Sequence, residues 1–439
     1  MIRRFVLAVG LICGGFAAHA EIDIQQVTSP GGINAWLVEE PSIPFVALEI
    51  RFLGGASLDE PGKRGATNLM VGLLEEGAEG MDARAFAEAR DGIAARFSYD
   101  ASDDTVRVSA KFLTETQDEA VDLLRASLVA PSFDDVAIER VREQVLSGLR
   151  SDETDPDEIV GKAFYGAIFG DHPYGSSENG TIDSVTALTR DDIVTAHRNA
   201  LARDRIYVGA AGDISAEDLG ALLDKLFADL PETGAPQPAD VDVQTTAGVT
   251  VVPFDTPQSV AMFGHKGMKR DDPDFFAAYV MNTIFGGGGF EARLMHEVRE
   301  KRGLTYGIYS YLAPREHAEL FLGRVASAND RIGEAVEVIR DEWAKMASDG
   351  VTPEELDRAK TYLTGSYPLR FDGNAPIAQI LVGMQMDDLT PDYITTRNAK
   401  IEAVTLEDVE RVAGELLKPE ELLFVVVGQP EGLEATVGQ

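Results

Sequence analysis

The chain has 439 residues, more than one hydrophobic core usually organises, so two domains are expected. It is 44% hydrophobic and 26% charged, an ordinary globular balance, but its formal charge is −35. A surface so acidic repels phosphates, which argues against a nucleic-acid or anionic-membrane partner and favours a soluble protein, with room for a cationic ligand or partner.

Residues 1–20 (MIRRFVLAVGLICGGFAAHA) have a basic start at Arg3 and Arg4, an apolar middle and an Ala-His-Ala end. They read as a secretory signal with cleavage after Ala20; the apolar run is too short to span a membrane. Cys13, the only cysteine, leaves with this segment, and it follows Leu11-Ile12 without the small residue of a lipoprotein site. Losing two arginines and no acid takes the formal charge from −35 to −37. The exported chain then has no disulfide, thiolate nucleophile or thiolate ligand, and a bacterial periplasm is the expected location.

The first domain is expected over 21–230. Strands at 33–38 and 45–53 are broken by Pro41 and Pro44 and closed by Gly54-Gly55. Apolar periodicity predicts helices over 65–75 and 83–94, strands over 95–99 and 105–112, and amphipathic helices over 115–128, 134–150 and 155–169. Thr189, Asp191 and Asp192 cap a helix that runs to 200, and 205–211 is a short buried strand. Residues 231–247, rich in Pro, Thr and acid and without periodicity, read as a linker.

In the second domain, 248–439, the pattern recurs. A strand at 259–264 and a helix at 273–285 repeat those at 45 and 65, and a strand at 318–326 and a helix at 332–347 follow. The sequence ELDRAKTYLTG at 355–365 echoes 137–148, and 405–428 echoes 189–212 from 216 positions further on. That period is far too long for a solenoid. It indicates a duplicated α+β unit, each copy an antiparallel sheet covered by helices.

The stretch 285–310 (FGGGGFEARLMHEVREKRGLTYGIYS) carries the most chemistry. Four glycines precede a run with Leu294, Met295 and Val298 at helical spacing. Gly303 is a helix stop, and 305–309 reads as a strand. No Gly-Lys-Ser/Thr follows the glycines, so this is no phosphate loop. Arg299 on the last helical turn and Tyr306 at the strand's start are both hydrogen-bond donors, suited to one acyl oxygen or carboxylate. The bland alternative is a solvated face on which Arg299 pairs locally with Glu300, Glu297 or Asp residues and Tyr306 merely packs.

A duplicated α+β unit with GGAS in one half and a Gly-rich turn plus REKRGLTYGIYS in the other resembles the insulinase/pitrilysin (inverzincin) family of zinc metallopeptidases. The resemblance covers nearly all the chain beyond residue 20 and implies a clamshell of such halves. In the frame of GGASLDEPGKRGATNLMVGLLEEGA, the family's first metal histidine falls on Asn68, its general-base glutamate on Val71 and its second histidine on Gly72. The distal glutamate ligand falls around Ser147-Gly148. None of these supplies the imidazole, carboxylate or base that zinc hydrolysis needs, and neither H-x-x-E-H nor H-E-x-x-H occurs anywhere. His172, His197, His265, His296 and His317 are too dispersed in sequence to suggest another site. Arg299 and Tyr306, by contrast, match the family's Arg/Tyr pair, which the resemblance implies is a clamp on the scissile carbonyl or substrate carboxyl. The family strand that holds extended peptide by main-chain bonds aligns with 95–101, but ARFSYDA departs from the family run and is assigned no substrate contact.

The resemblance therefore implies a non-catalytic subunit, inactive alone and holding no cofactor of its own. Its partner would be a homologous subunit bearing H-x-x-E-H and zinc. The competing expectation is a scaffold that holds a peptide or partner without cleavage. Whether the acidic residues line a chamber for basic peptides or only confer solubility stays open at this level. A hydrolase using other chemistry is disfavoured, since no serine lies in a G-x-S-x-G context.

Overall fold

The computed structural model describes residues 22–437, so the signal expected at 1–20, with Cys13, lies outside them. The first half forms β1 (Gln25–Thr28), β2 (Asn34–Glu39), β3 (Phe45–Leu53), β4 (Arg96–Ala101), β5 (Thr105–Leu113) and β6 (Ile206–Gly212), in the sheet order β1-β2-β6-β3-β5-β4. The second forms β7 (Gly248–Pro253), β8 (Gln258–Lys266), β9 (Ile308–Pro314), β10 (Glu319–Ala328) and β11 (Leu423–Gly428), ordered β7-β11-β8-β10-β9. With β1 set aside, the two orders are the same, as the internal repeat requires. Each sheet is antiparallel except for one parallel pair, β2 with β6 and β7 with β11. The expected antiparallel arrangement holds for every other pairing in the two sheets. Several helices intervene between the two strands of each parallel pair, which gives the chain the length a parallel crossover demands.

Both faces of each sheet are covered, and this explains the continuous apolar run of β11. Phe424 and Val426 point into the core under the second half's own helices, while Leu423, Val425 and Val427 join Val160 and Phe164 of the helix Pro156–Phe169, which comes from the first half. The exchange is reciprocal. The helix Asn374–Met386 of the second half lies on the first sheet, where Ile377, Ala378 and Leu381 meet Val38, Ala47 and Ala211. Its close approach needs small residues below it: a Cβ at Gly209 of β6 would lie 2.3 Å from the Ala378 carbonyl oxygen. Glu49 of β3, only 2% exposed, accepts from Arg107 Nε at 2.7 Å and from Ser109 Oγ.

The 65–75 helix is shorter than expected, Ala66–Val71 followed by turns. The helix at 374–386 and another at Tyr393–Ala403 are additions to the sequence reading. Residues 231–247 contain no helix or strand, yet they are strapped down: Gln237 Nε2 donates to the Leu53 carbonyl at 3.1 Å, Val241 N to that of His317 at 2.8 Å, and Val243 is buried. Among the described residues no helix is long and apolar enough to cross a membrane.

Candidate functional site

The glycine-rich stretch is wound more loosely than an α-helix. The helix Phe275–Asn282 continues as a π-helical turn, Thr283–Gly287, that lies against β9. A Cβ at Gly286 would sit 2.2 Å from Ser310 Oγ, so only glycine permits this contact, and Ser310 Oγ donates to Asn282 Oδ1 at 2.7 Å alongside. A second π-helical segment, Met295–Glu300, carries Arg299; it closes with Lys301 N donating to the His296 carbonyl at 2.9 Å. Such wide turns are rare and recur at functional sites. The strand expected at 305–309 begins instead at Ile308 and runs to Pro314, leaving Tyr306 in the bend before β9 rather than on the strand. Thr305 fixes that bend, its hydroxyl donating to the Ala326 carbonyl at 2.7 Å and accepting from Gly307 N at 3.1 Å.

The charges around Arg299 are committed elsewhere. Arg293 grips Glu355 with two bonds of 2.6 and 2.7 Å, and Lys301 and Arg302 both bind Glu297, at 2.6 and 2.9 Å. Glu300 lies 2.9 Å from His296 Nδ1. The two carboxylates that the sequence offered to Arg299 are therefore taken. Among the described residues Arg299 has no ion pair and no side-chain hydrogen bond; its guanidinium lies 4.7 Å from the centre of the Phe290 ring. Tyr306 is 87% exposed and its hydroxyl has no protein partner among the same residues. A planar cation on an aromatic face and a free phenol are thus both open to an incoming acceptor. Tyr309 and Tyr311, stacked 6.1 Å apart on the edge strand β9, extend the exposed aromatic surface. The sequence reading missed them, although the alternation in IYSYL was its signal.

Of the positions onto which the resemblance places the metal ligands and base, only Val71 is buried; Asn68 is half-buried, and Gly72, Ser147 and Gly148 are exposed. Asn68 and Val71 lie on the Ala66–Val71 helix and Gly72 caps it; Val71 is buried in the first core. A Cβ at Gly72 would lie 2.9 Å from Val141 Cγ1 on the helix Asp135–Asp152, the same helix that carries Ser147 and Gly148. An amide, an alkyl group and a missing side chain do not fit zinc, and a histidine at 72 would have to displace Val141. No group of three or more His, Cys, Asp or Glu able to hold a metal occurs among the described residues. Two of the histidines serve packing. His197 is buried with Nε2 2.8 Å from the Leu128 carbonyl, and His265 is buried beside Trp343. His172 and His317, from opposite halves, come within 6.3 Å of each other between ring centres, a meeting invisible at their separation in sequence.

A second concavity, of about 910 Å³, opens between the halves. Five carboxylates, Asp103, Asp152, Glu153, Glu158 and Glu178, outnumber its two cations, Lys162 and Arg315, and Tyr165 and Leu322 form part of its apolar wall. Burial, reinforced by the negative charge of Asp103, pushes the Glu178 carboxyl up to about 6. β4, the strand assigned no substrate contact, forms the free edge of the first sheet.

Residues 35–181 match the family model of insulinase (peptidase family M16), and residues 187–363 match that of the peptidase M16 inactive domain. The chain belongs to the M16 peptidase family. An uncharacterized zinc protease of Streptomyces coelicolor is 29% identical over 427 residues, covering 93% of this M16 chain and 90% of the relative. A protein of Helicobacter pylori named as the non-peptidase homolog YmxG is 27% identical, covering 76% and 77%. Among solved structures, a peptidase M16 inactive domain from Pseudomonas fluorescens superposes with a TM-score of 0.85 at 28% identity, over 95% of this chain and 99% of that one. The fold is of the M16 type, and its second half matches the family's inactive-domain model.

Proposed function

We propose that this chain is the substrate-holding, non-catalytic subunit of a two-chain zinc peptidase in the periplasm, contributing Arg299 and Tyr306 to the active site of a partner that bears H-x-x-E-H. One observation carries the reading: among the described residues Arg299 has no carboxylate partner, Glu297 being held by Lys301 and Arg302 and Glu300 lying against His296, and Tyr306, seven residues on in the sequence, stands exposed with its hydroxyl unbonded. Two preset donors aimed at a carbonyl that gains negative charge are what an acyl-transfer transition state requires. The zinc, its activated water and the base belong to the partner in this reading. The acid-rich concavity between the halves supports a preference for basic peptides.

The test is association. The chain and a homologue bearing H-x-x-E-H from the same organism are purified separately and together. The reading predicts a one-to-one complex that hydrolyses peptides while neither chain does so alone. Full hydrolysis by the partner alone, or no complex, moves the assignment to a peptide-holding scaffold, a reading favoured by the similarity to a protein named as a non-peptidase homolog.

A further inference from the structure

A smaller cavity of about 280 Å³ lies within the second half, far in character from the acidic surface. Three arginines line it, Arg270, Arg370 and Arg397, against one carboxylate, Asp387. In a chain with 74 acidic and 39 basic residues that excess of positive charge is against the grain. Arg270 is accounted for: it reaches Asp387 at 3.2 Å and the Tyr393 hydroxyl at 3.0 Å. Arg397 is not. It is 4% exposed, and its side chain donates only through Nη1, to the Leu363 carbonyl at 3.1 Å and to Asn398 Oδ1 at 3.0 Å. Its guanidinium lies 4.2 Å from the centre of the Tyr367 ring and meets no carboxylate among the described residues. A buried cation without a counter-charge is costly, so a site that keeps one is prepared for an anion.

The surroundings specify the rest of the ligand. Tyr367 is 7% exposed, its hydroxyl bonds to nothing among the described residues, and the charges of Arg397, Arg370 and Arg270 all bear on it. Phe275, Phe276 and Tyr279 supply aromatic walls, with Arg270 lying 4.3 Å from the centre of the Phe275 ring. Two unsatisfied donors beside aromatic faces match a planar carboxylate attached to an aromatic or bulky aliphatic group.

We propose that this cavity binds a small organic carboxylate of that kind, its carboxylate held by Arg397, Tyr367 and Arg370 and its apolar group against Phe275, Phe276 and Tyr279. The site is separate from Arg299 and stands whether or not a partner subunit exists. Two sources present this chemistry, a free small acid and the C-terminal residue of a peptide.

Calorimetric titration of the purified chain with N-acetyl-phenylalanine, N-acetyl-phenylalaninamide, Gly-Gly-Phe and Gly-Gly-Phe-amide tests it. The acid is expected to bind saturably and at least about tenfold more tightly than its amide, since one charge-assisted contact is worth about that factor. Gly-Gly-Phe binding as well as the small acid identifies peptide C-termini as the source; its rejection identifies a free acid. Arg397→Gln removes the anion partner, but it is buried and its loss can unfold the chain. Gly383→Leu is the second variant: a Cβ at this lining position meets nothing within 4 Å, so leucine fills the cavity without a clash at its root. It is expected to abolish binding with the fold intact. Equal binding of acid and amide, undiminished binding by folded Gly383→Leu, or no saturable binding at millimolar concentrations overturns the proposal.

Discussion

Arg315, from the turn between β9 and β10 in the second half, enters the first half and places its guanidinium 3.6 Å from the centre of the Tyr174 ring. Its Nη2 donates to Asp103 Oδ2 at 2.5 Å, and Arg64 binds the other oxygen of the same carboxylate. Tyr174 in turn donates to Asp104 and accepts from His317 N at 3.2 Å. One arginine thus joins the halves through a mostly buried network. Arg315→Ala leaves Asp103 with Arg64 as its one remaining cation, takes from Asp104 the guanidinium 3.9 Å away and from Tyr174 its stacking partner, and is expected to cost about 3 kcal/mol, as breaking a buried pair does. Urea unfolding measures it as a lower midpoint at unchanged slope. A loss below about 0.5 kcal/mol would show that the network contributes nothing to the joint.

The contact of the 374–386 helix with β6 rests on the absence of a side chain at 209. Gly209→Ala drives a methyl group against the Ala378 carbonyl, a main-chain atom that cannot swing aside. The expected destabilisation is about 2–3 kcal/mol, at the upper end for overpacking. Gly365→Ala is the control: position 365, in the helix Pro353–Ser366, has open space for a Cβ, and alanine there is expected to stabilise by about 0.5–1 kcal/mol. Thermal unfolding of both variants distinguishes the two effects by sign.

His265 gives the fold an acid sensitivity. Its Nε2 accepts from Trp343 Nε1 at 3.1 Å while Nδ1 lies 2.6 Å from the Lys266 carbonyl, an arrangement that holds the neutral ring. Burial holds its pKa down to about 4, against 6.5 for a free histidine. Between those values the unfolded chain binds the proton and the folded chain does not, so this contribution is complete above pH 6.5 and is lost as pH falls towards 4. His265→Gln removes the titration. The stability gap between wild type and variant, followed by urea unfolding, is expected to narrow from pH 7 to pH 4; a constant gap would show that His265 is not the titrating group.

The sequence reading of the fold succeeded where periodicity was clean. The capped helix at Thr189 and its repeat at Thr405 appear with the same Thr/Asp capping box, and β3 spans the residues assigned to it. The 374–386 helix escaped because its two sides both meet protein, so NAPIAQILVGMQM shows no polar stripe to mark a helical period. The π-helical turns escaped for another reason: glycine runs signal a turn, while their winding is set by contacts with β9 from a distant part of the chain. Arg299 and Tyr306 were legible as a spaced pair of donors. That Arg299 lacks a partner was not, because Glu297 and Glu300 lie close in sequence, and only the fold shows them bound to Lys301, Arg302 and His296.

The central claim is that Arg299 and Tyr306 act at another chain's zinc site, and peptide hydrolysis by the reconstituted pair tests it most directly. Both side chains are outside the core, so Arg299→Ala and Tyr306→Phe should leave folding and complex formation unchanged. The account predicts that Arg299→Ala lowers kcat/KM of the pair on the order of 10²-fold, as loss of a transition-state donor does, with a smaller loss for Tyr306→Phe. A complex that forms normally and hydrolyses peptides at the wild-type rate with both substitutions would contradict it.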